Sequence, residues 1–387
     1  MVDLYGYSIG STIKAKKLLG ALQQVGHSVS FFWMCAQSPK QENSIPNTKA
    51  SSVSLLRDLL YTPKQLLRNG VQFFREWSIL RRERPDAVIV RLDAFRVSAL
   101  WACRLRRVPM FVEADGANSY EWLTFNNGRH LWAPVLLWCE KIMLKHAHGI
   151  ITQSKEAKHY FCERHSLPEQ DIIVITNGAD ARSAFNSSIA KKLQESLNIP
   201  QNAQIIGFVG SMHHWHGIQD VQTMIHQILR QFSNVMFLFV GSGGALERDL
   251  KEQLQDTGER VLFTGTVPNE SVQDYIQLFD IAIAPYPHID LFYFSPMKIF
   301  EYMAAGKPIV TARIGQMARI LEDQRSALFY EPGDIAGLQH QIELLLKNSQ
   351  LRKKIARNAY QSFVDSHTWK HKAEELDRYM NLCLAPM

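Results

Sequence analysis

Short apolar runs alternate with stretches whose apolar positions recur every three or four residues, along nearly the whole chain. That alternation predicts parallel sheets wrapped by helices. In the first half it predicts strands near Val2–Tyr7, Ser28–Trp33, Ala87–Arg91, Met110–Glu113, Gly149–Gln153 and Ile172–Ile175. A helix from Thr12 to Val25 separates the first two, with Gly26 as its stop signal. Met34–Ser54 is polar, carries Pro39 and Pro46, and reads as a loop. The first strand is short for a buried one, which leaves room for a start upstream of Met1.

The second half restarts the alternation. Strands are predicted at Gln204–Val209, Val235–Val240, Arg260–Thr264, Ile281–Ala284, Pro308–Thr311 and Ala327–Tyr330. Helices should follow at Ile218–Arg230, Ala245–Gln255, Ser271–Leu278, Lys298–Ala305, Gln316–Asp323 and Ile335–Lys347. Asp180–Gln204 reads as a linker. The expected architecture is α/β: two doubly wound domains, 1–182 and 183–367, facing across a cleft of the kind that binds ligands. Helical pattern runs from Leu351 to Leu384, and Trp369 marks where a last helix, 368–387, packs back on the first domain.

Composition narrows the class. The chain has 387 residues, 46% apolar and 21% charged, as globular proteins do. No run of about eighteen uncharged apolar residues exists to span a membrane. The opening MVDLYGYSIG lacks the basic start and apolar core of a signal peptide. Cys35, Cys103, Cys139, Cys162 and Cys383 are scattered, as reduced thiols of a cytoplasmic protein are. The net charge is +6, and the excess of arginine is concentrated in 55–107, where Leu55, Leu59, Leu66, Phe74 and Trp77 interleave with it. Such a surface can rest on the anionic headgroups of the inner membrane face, although an ordinary helix with a solvated basic face has the same pattern. No nucleic-acid-binding module is present.

The stretch SPMKIFEYMAAGKPIVTA, Ser295 to Ala312, carries the most chemistry. Ser295 suits a helix cap and Pro296 a first turn. The helix start at Ser295–Met297 would then present free N–H groups and about half a positive charge to an anion. Lys298 would add a full charge, and Glu301, one turn on, offers a bidentate acceptor for the paired hydroxyls of a ribose. An ordinary capped helix with a surface glutamate is the plainer reading. In IIGFVGSMHHWHGI, Gly210 and Ser211 follow a buried strand and permit close approach to a ligand. His216 is expected to donate to a diphosphate oxygen, in its charged form. His213, His214 and His216 crowd together without a carboxylate or cysteine, so no metal site is expected. The glycines of FVGSGG, Phe239 to Gly244, are weak evidence alone.

These segments resemble the retaining family-four glycosyltransferases of the GT-B fold, whose domains are Rossmann-like. FVGSMHHWHGIQDV is similar to the family's first C-domain loop. VLFTGTVPNESVQDYIQLFDIAIAPY is similar to its base-binding strand and helix, and SPMKIFEYMAAGKPIV to its signature helix in a Ser-Pro-x-Lys variant. ERPDAVIVRLDA, VPMFVEADGA and IITQSKEA match the first domain less specifically, and SIGSTIKAKKLLGALQQVGHSV matches the opening loop and helix. The resemblance implies a metal-independent enzyme that needs no cofactor and uses a UDP- or GDP-sugar as donor. Lys298, His216 and Asp115 would be catalytic. The donor would meet Gly10, Gly210, Ser211, Ser295, Pro296, Met297, Lys298 and Glu301, with Gly265, Thr266 and Val267 reading the base. The implied acceptor is a glycan or a polyprenyl-diphosphate-linked glycan of surface polysaccharide assembly. Four positions depart from the common pattern: Tyr293 replaces the first of two glutamates, Ser211 and His216 replace a basic pair, and Asp115 replaces a histidine. A subunit that binds nucleotide-sugar without turnover and a sugar-nucleotide epimerase therefore remain open. A dinucleotide oxidoreductase does not fit, since no Gly-x-Gly-x-x-Gly follows a first strand.

Overall fold

The computed structural model describes residues 9–32, 52–125, 132–181, 187–218, 221–244 and 246–385. The chain divides into two compact units. One comprises Met1–Thr176, Tyr293–Ser295 and Lys370–Met387, the other Asn177–Phe292 and Pro296–Trp369.

In the first unit the order is α1 (Ile9–Gln24), α2 (Ser52–Glu83), β1 (Val88–Arg91), α3 (Ser98–Arg106), β2 (Met110–Ala114), α4 (Asn118–Phe125), α5 (Ala133–Lys145), β3 (Gly149–Thr152), α6 (Lys155–His165) and β4 (Ile172–Val174). The four strands form one parallel sheet in sequence order. All of β2 and β3 is buried, as strands covered on both faces must be, which explains their unbroken apolar runs. The strand predicted at Val2–Tyr7 lies outside the described residues. The one predicted at Ser28–Trp33 is corrected: its described residues, 28–32, form no strand, and Ser28 and Ser30 face solvent. Most of the loop predicted at Met34–Ser54 is also outside them, but Ser52–Ser54 already belong to α2.

One side chain of α2 caps the start of α3. Asn69 Oδ1 accepts the N–H groups of Val97 (2.9 Å) and Ser98 (3.1 Å), while its Nδ2 donates to Phe95 O (2.9 Å). The start of α3 thus takes its cap from another helix, and no local capping residue marks it in the sequence.

The second unit contains α7 (Ser187–Ser196), β5 (Gln204–Val209), α8 (Val221–Gln231), β6 (Val235–Val240), α9 (Glu247–Gln253), β7 (Val261–Phe263), α10 (Val272–Gln277), β8 (Ile281–Ala284), α11 (Met297–Ala304), β9 (Ile309–Ala312), α12 (Met317–Ile320), β10 (Leu328–Tyr330), α13 (Ile335–Lys347) and α14 (Ser349–Ser366). The last helix, α15 (Trp369–Leu384), lies almost wholly in the first unit. There Tyr379 donates to Asp171 O (2.6 Å) and accepts from Ile150 N–H (3.1 Å). Gly149 leaves room for it: a Cβ at that position would stand 2.7 Å from the phenol oxygen. The expected linker Asp180–Gln204 is corrected as well, because α7 occupies its middle.

The six strands of the second unit are parallel and run β10-β9-β8-β5-β6-β7. Counted from β5, this is the doubly wound order 3-2-1-4-5-6, in which the winding reverses between the first and fourth strands. Here the reversal falls between β5 and β8. Ligands of such sheets bind beyond the carboxyl ends of the two strands that flank it.

Candidate functional site

β5 and β8 pair only over Ile206↔Ile281 and Gly207↔Ala282 and then part. Tyr302, fully buried on α11, fills the split. Its hydroxyl accepts Val209 N–H at the end of β5 (2.8 Å) and donates to Ile283 O in β8 (3.3 Å). This fixes α11 against both strands and sets its first turn beside the loop that leaves β5.

That first turn carries Lys298. Its side chain is buried, with Nζ 3.9 Å from the centre of the Phe208 ring and 6.0 Å from that of Tyr286. The amine has no hydrogen-bond partner among the described residues, and neither does the buried Tyr286 hydroxyl. Buried polar atoms are nearly always paired, so two orphans at a switch point mark a place that expects a ligand. Burial pulls the Lys298 amine down to about 7, against a smaller opposing influence from Glu301, half-buried one turn on. Gly210, at φ 137°, ends β5; a Cβ there would lie 3.0 Å from Lys298 Nζ, so the glycine keeps the amine's surroundings open.

His216 belongs to the same cluster. It packs against Phe208 and Tyr286, and its Nδ1–H donates to Ser211 O (2.5 Å), which leaves a lone pair on Nε2. The charged form expected of it depends on a bound phosphate. In the protein by itself burial, helped by the charge of Lys298, drives the imidazole down to about 2, so it is neutral. The His213 ring stacks on Trp215 at 4.2 Å, and His213 also helps to lower the His216 imidazole.

Three loops at the carboxyl ends of β5, β6 and β7 interlock. Gly241 N–H donates to Gly265 O (3.2 Å), and a Cβ on Gly241 would come within 2.6 Å of Gly210 O. Met212 N–H donates to Gly243 O (2.6 Å). The glycines of FVGSGG therefore let backbone pass backbone. They also couple Gly265 to the Gly210 loop, with exposed Thr266 and half-buried Val267 following.

The helix start differs from expectation. The cap position of α11 is Pro296, with no side-chain cap, and Ser295 is grouped with the first unit. Met297 opens the helix, so the N–H groups near Lys298 are those of its first turn. Asp115 and Gly10 also lie in the first unit. Asp115 shares Lys14 with Glu113 (Nζ to Glu113 Oε1 2.9 Å), all three buried. Gly10 sits in the first turn of α1, one turn before Lys14. Tyr293, in the position of the missing glutamate, is buried and donates to Glu121 (2.5 Å). Sequence reasoning missed Lys14, Tyr286 and Tyr302. Only Lys14 carried a signal, as a lysine on the otherwise apolar side of its helix.

Two all-parallel sheets in one chain, the second wound about a switch point, give the α/β architecture of the GT-B fold. Residues 203–348 match the family described as Glycosyl transferases group 1, and residues 10–183 match Glycosyltransferase Family 4. The chain is a family-four glycosyltransferase. It is similar to an uncharacterized glycosyltransferase of Methanocaldococcus jannaschii, 24% identical over 58% of this chain and 58% of that one. Among solved structures it resembles a glycosyltransferase from Rickettsia africae (TM-score 0.71, 17% identity, covering 100% and 98% of the two chains). It also resembles Anabaena HepE in complex with UDP-glucose (TM-score 0.61, 20% identity, covering 76% and 78%).

Proposed function

We propose that this glycosyltransferase moves a sugar from a UDP- or GDP-sugar, with retention at the anomeric carbon, to a glycan or polyprenyl-diphosphate-linked glycan in surface polysaccharide assembly. The acceptor oxygen bonds to the anomeric carbon as the bond from that carbon to the diphosphate breaks. The electron pair stays on the diphosphate, and the acceptor proton leaves with it. The single observation that carries the reading is the buried, unpartnered amine of Lys298 at the switch point. A diphosphate would supply the missing partner, and the negative charge it gains on bond cleavage strengthens the contact as the barrier is crossed. The first turn of α11 adds its N–H groups. Glu301 holds the ribose, and the backbone of Gly265, Thr266 and Val267 reads the base. His216, being neutral, shapes the loop through Ser211 and does not carry charge. Gly10 lets the first unit approach the donor, and Asp115 orients the transferred sugar or the acceptor hydroxyl. No metal ion takes part, and the chain works at the inner membrane face through 55–107.

A thermal-shift screen of the full chain with UDP, GDP, ADP and their sugar conjugates, with and without EDTA, tests this. One nucleotide should raise the melting temperature, unchanged by EDTA, since a ligand of the folded state stabilises it. UDP goes first because the HepE structure holds UDP-glucose. No shift from a folded sample sinks the reading. Tyr293, whose phenol is committed to Glu121, favours one second reading, a subunit that binds donor without turnover. Binding with no transfer to any acceptor would support it, and consumption of donor without acceptor would instead mean an epimerase.

A further inference from the structure

Beyond the carboxyl end of β2 the chain runs through Asp115, Gly116 and Ala117 into α4, whose first turn carries Glu121. Ligands of a parallel sheet gather at this end of its strands. The helix is fixed from behind. Glu140 on α5 accepts both the N–H (3.1 Å) and the hydroxyl (2.7 Å) of Ser119, and the same carboxylate is bonded to His165 Nε2 (2.6 Å). The Tyr160 hydroxyl completes the set, 2.6 Å from that of Ser119. Ser119, Glu140 and His165 are buried, and a buried polar network whose members are satisfied holds what it touches rigidly.

Glu121 itself is half-buried and is held in front as well. Its Oε1 accepts the hydroxyl of Tyr293, which belongs to the same unit, and Tyr293 O accepts the hydroxyl of Ser154, the cap of α6 (2.8 Å). Gly116 gives the carboxylate its place, since a Cβ there would stand 2.7 Å from Oε1. The Tyr120 ring lies edge-on to Tyr293 at 6.4 Å. The plain reading is a buried tyrosine that has found an acceptor. A neutral carbonyl would serve that need. The carboxylate instead brings a charge that no described cation pairs, and its Oε2 has no hydrogen-bond partner among the described residues. A metal ion is the weaker occupant. Asp115 is already matched by Lys14, whose charge disfavours a second cation, and no group of three metal-ligating side chains forms among the described residues. Open lone pairs beside a neutralised neighbour suit O–H donors.

We propose that Glu121, with Asp115, accepts hydroxyl groups of one pyranose ring and so selects the sugar on the side of the first unit, with Tyr293 as its positioning residue. This rests on the transfer reading above and names the carboxylate that recognises the saccharide. The change at 293 then moves a carboxylate to α4 and does not remove one. A site that hydrogen-bonds a hydroxyl strongly rejects the analogue lacking it, which gives Glu121 its leverage on specificity. The ring carried by the donor and the terminal ring of the acceptor offer the same chemistry, and the two arms of the test separate them.

For the donor, calorimetry of the full chain compares the nucleotide-sugar that gives the largest thermal shift with its free nucleotide. For the acceptor, saturation-transfer NMR uses the p-nitrophenyl glycosides of glucose, galactose, mannose and N-acetylglucosamine. Glu121→Ala should weaken either the conjugate or a glycoside bound by the parent about ten- to a hundredfold, as loss of a hydrogen bond to a charged group does, and leave the free nucleotide unchanged. Glu121→Gln keeps a neutral acceptor of the same reach and should recover part of that loss. Tyr293→Phe should lose less. Combined with Glu121→Ala it should lose no more than Glu121→Ala alone, because the phenol acts through the carboxylate. A weakened conjugate assigns the hydroxyls to the transferred sugar, and a weakened glycoside to the acceptor. Four results would each overturn the proposal: no change in either arm, equal weakening of conjugate and free nucleotide, losses at 121 and 293 that simply add, or a loss that EDTA reproduces in the parent. Parental binding by Glu121→Ala with an intact nucleotide shift sinks this proposal alone. A parent that no nucleotide shifts sinks the transfer reading, and this proposal with it.

Discussion

Lys14 in the first unit and Lys298 in the second are buried to a comparable depth, and the two are opposites. Lys14 is 6% exposed and Lys298 7%. Burial alone would strip either amine of its proton. For Lys14 the charges of Asp115 and Glu113 outweigh burial and hold the amine above its ordinary value. In return Lys14 keeps Asp115 low despite that carboxyl's own burial. Lys298 has only the half-buried Glu301 to support it, and falls to about 7. The same residue type is thus a finished ion cluster in one unit and an unfinished one in the other. An unpaired buried amine is costly unless something else completes it, which is why the donor's diphosphate is assigned to Lys298 and not to Lys14.

The largest effect that could break this contrast is on stability. Lys14→Met would leave two carboxylates buried without their cation and should cost roughly 3–5 kcal/mol in urea unfolding. Lys298→Met removes a buried charge that no described residue hydrogen-bonds, so the midpoint should stay or rise. Equal destabilisation by both would erase the difference between the two clusters. For turnover the order reverses. Lys298→Ala should slow transfer about 10²- to 10³-fold with the fold intact, as the loss of one preorganised charge partner does. Initial rates at saturating donor, set beside melting curves, measure it, and near-parental rates would take the diphosphate away from Lys298.

A finer test is the pH dependence of donor binding. A nucleotide-sugar diphosphate has no proton to lose near neutrality, so Lys298 is the group to watch. Its value in the free protein is about 7, and a bound diphosphate raises it. Below pH 7 the amine already carries its proton and affinity should be flat. Above pH 7 binding must draw a proton, and affinity should fall about tenfold per pH unit until the bound-state value is passed. Calorimetry in buffers of different ionisation enthalpy would show proton uptake near pH 8 and little below 6.5. Lys298→Arg, which stays charged, should flatten the profile.

The strands of the second unit were legible because buried parallel strands are unbroken apolar runs, and α13 falls on its predicted bounds, Ile335–Lys347. The place of Lys298 in the first turn of a helix was legible too, since that helix follows a strand. What could not be read is what depends on burial and distant pairing. Lys14 meets Asp115 across 101 positions, a separation that only the sheet closes. Tyr286 and Tyr302 read as core aromatics, and nothing in the sequence separates a tyrosine that bridges two strands from one that fills space. Ser295 has the chemistry of a cap, yet the backbone turns one residue later, at Pro296.

The smallest predicted effect is at His216. A histidine beside a diphosphate site suggests a cation, but this one is neutral, with Nδ1–H held by Ser211 O. If its work is to shape the loop, a neutral donor of similar reach should nearly replace it. His216→Asn should therefore lower transfer less than tenfold, whereas removing a hydrogen bond made by a charged group costs about 1.5–3 kcal/mol, or more than tenfold. The size of that drop separates the roles. A small loss with an unchanged pH profile makes Lys298 the charge that meets the leaving diphosphate. A loss approaching that of Lys298→Ala would mean that bound donor charges His216 after all, and that the site works with two cations where the protein alone displays one.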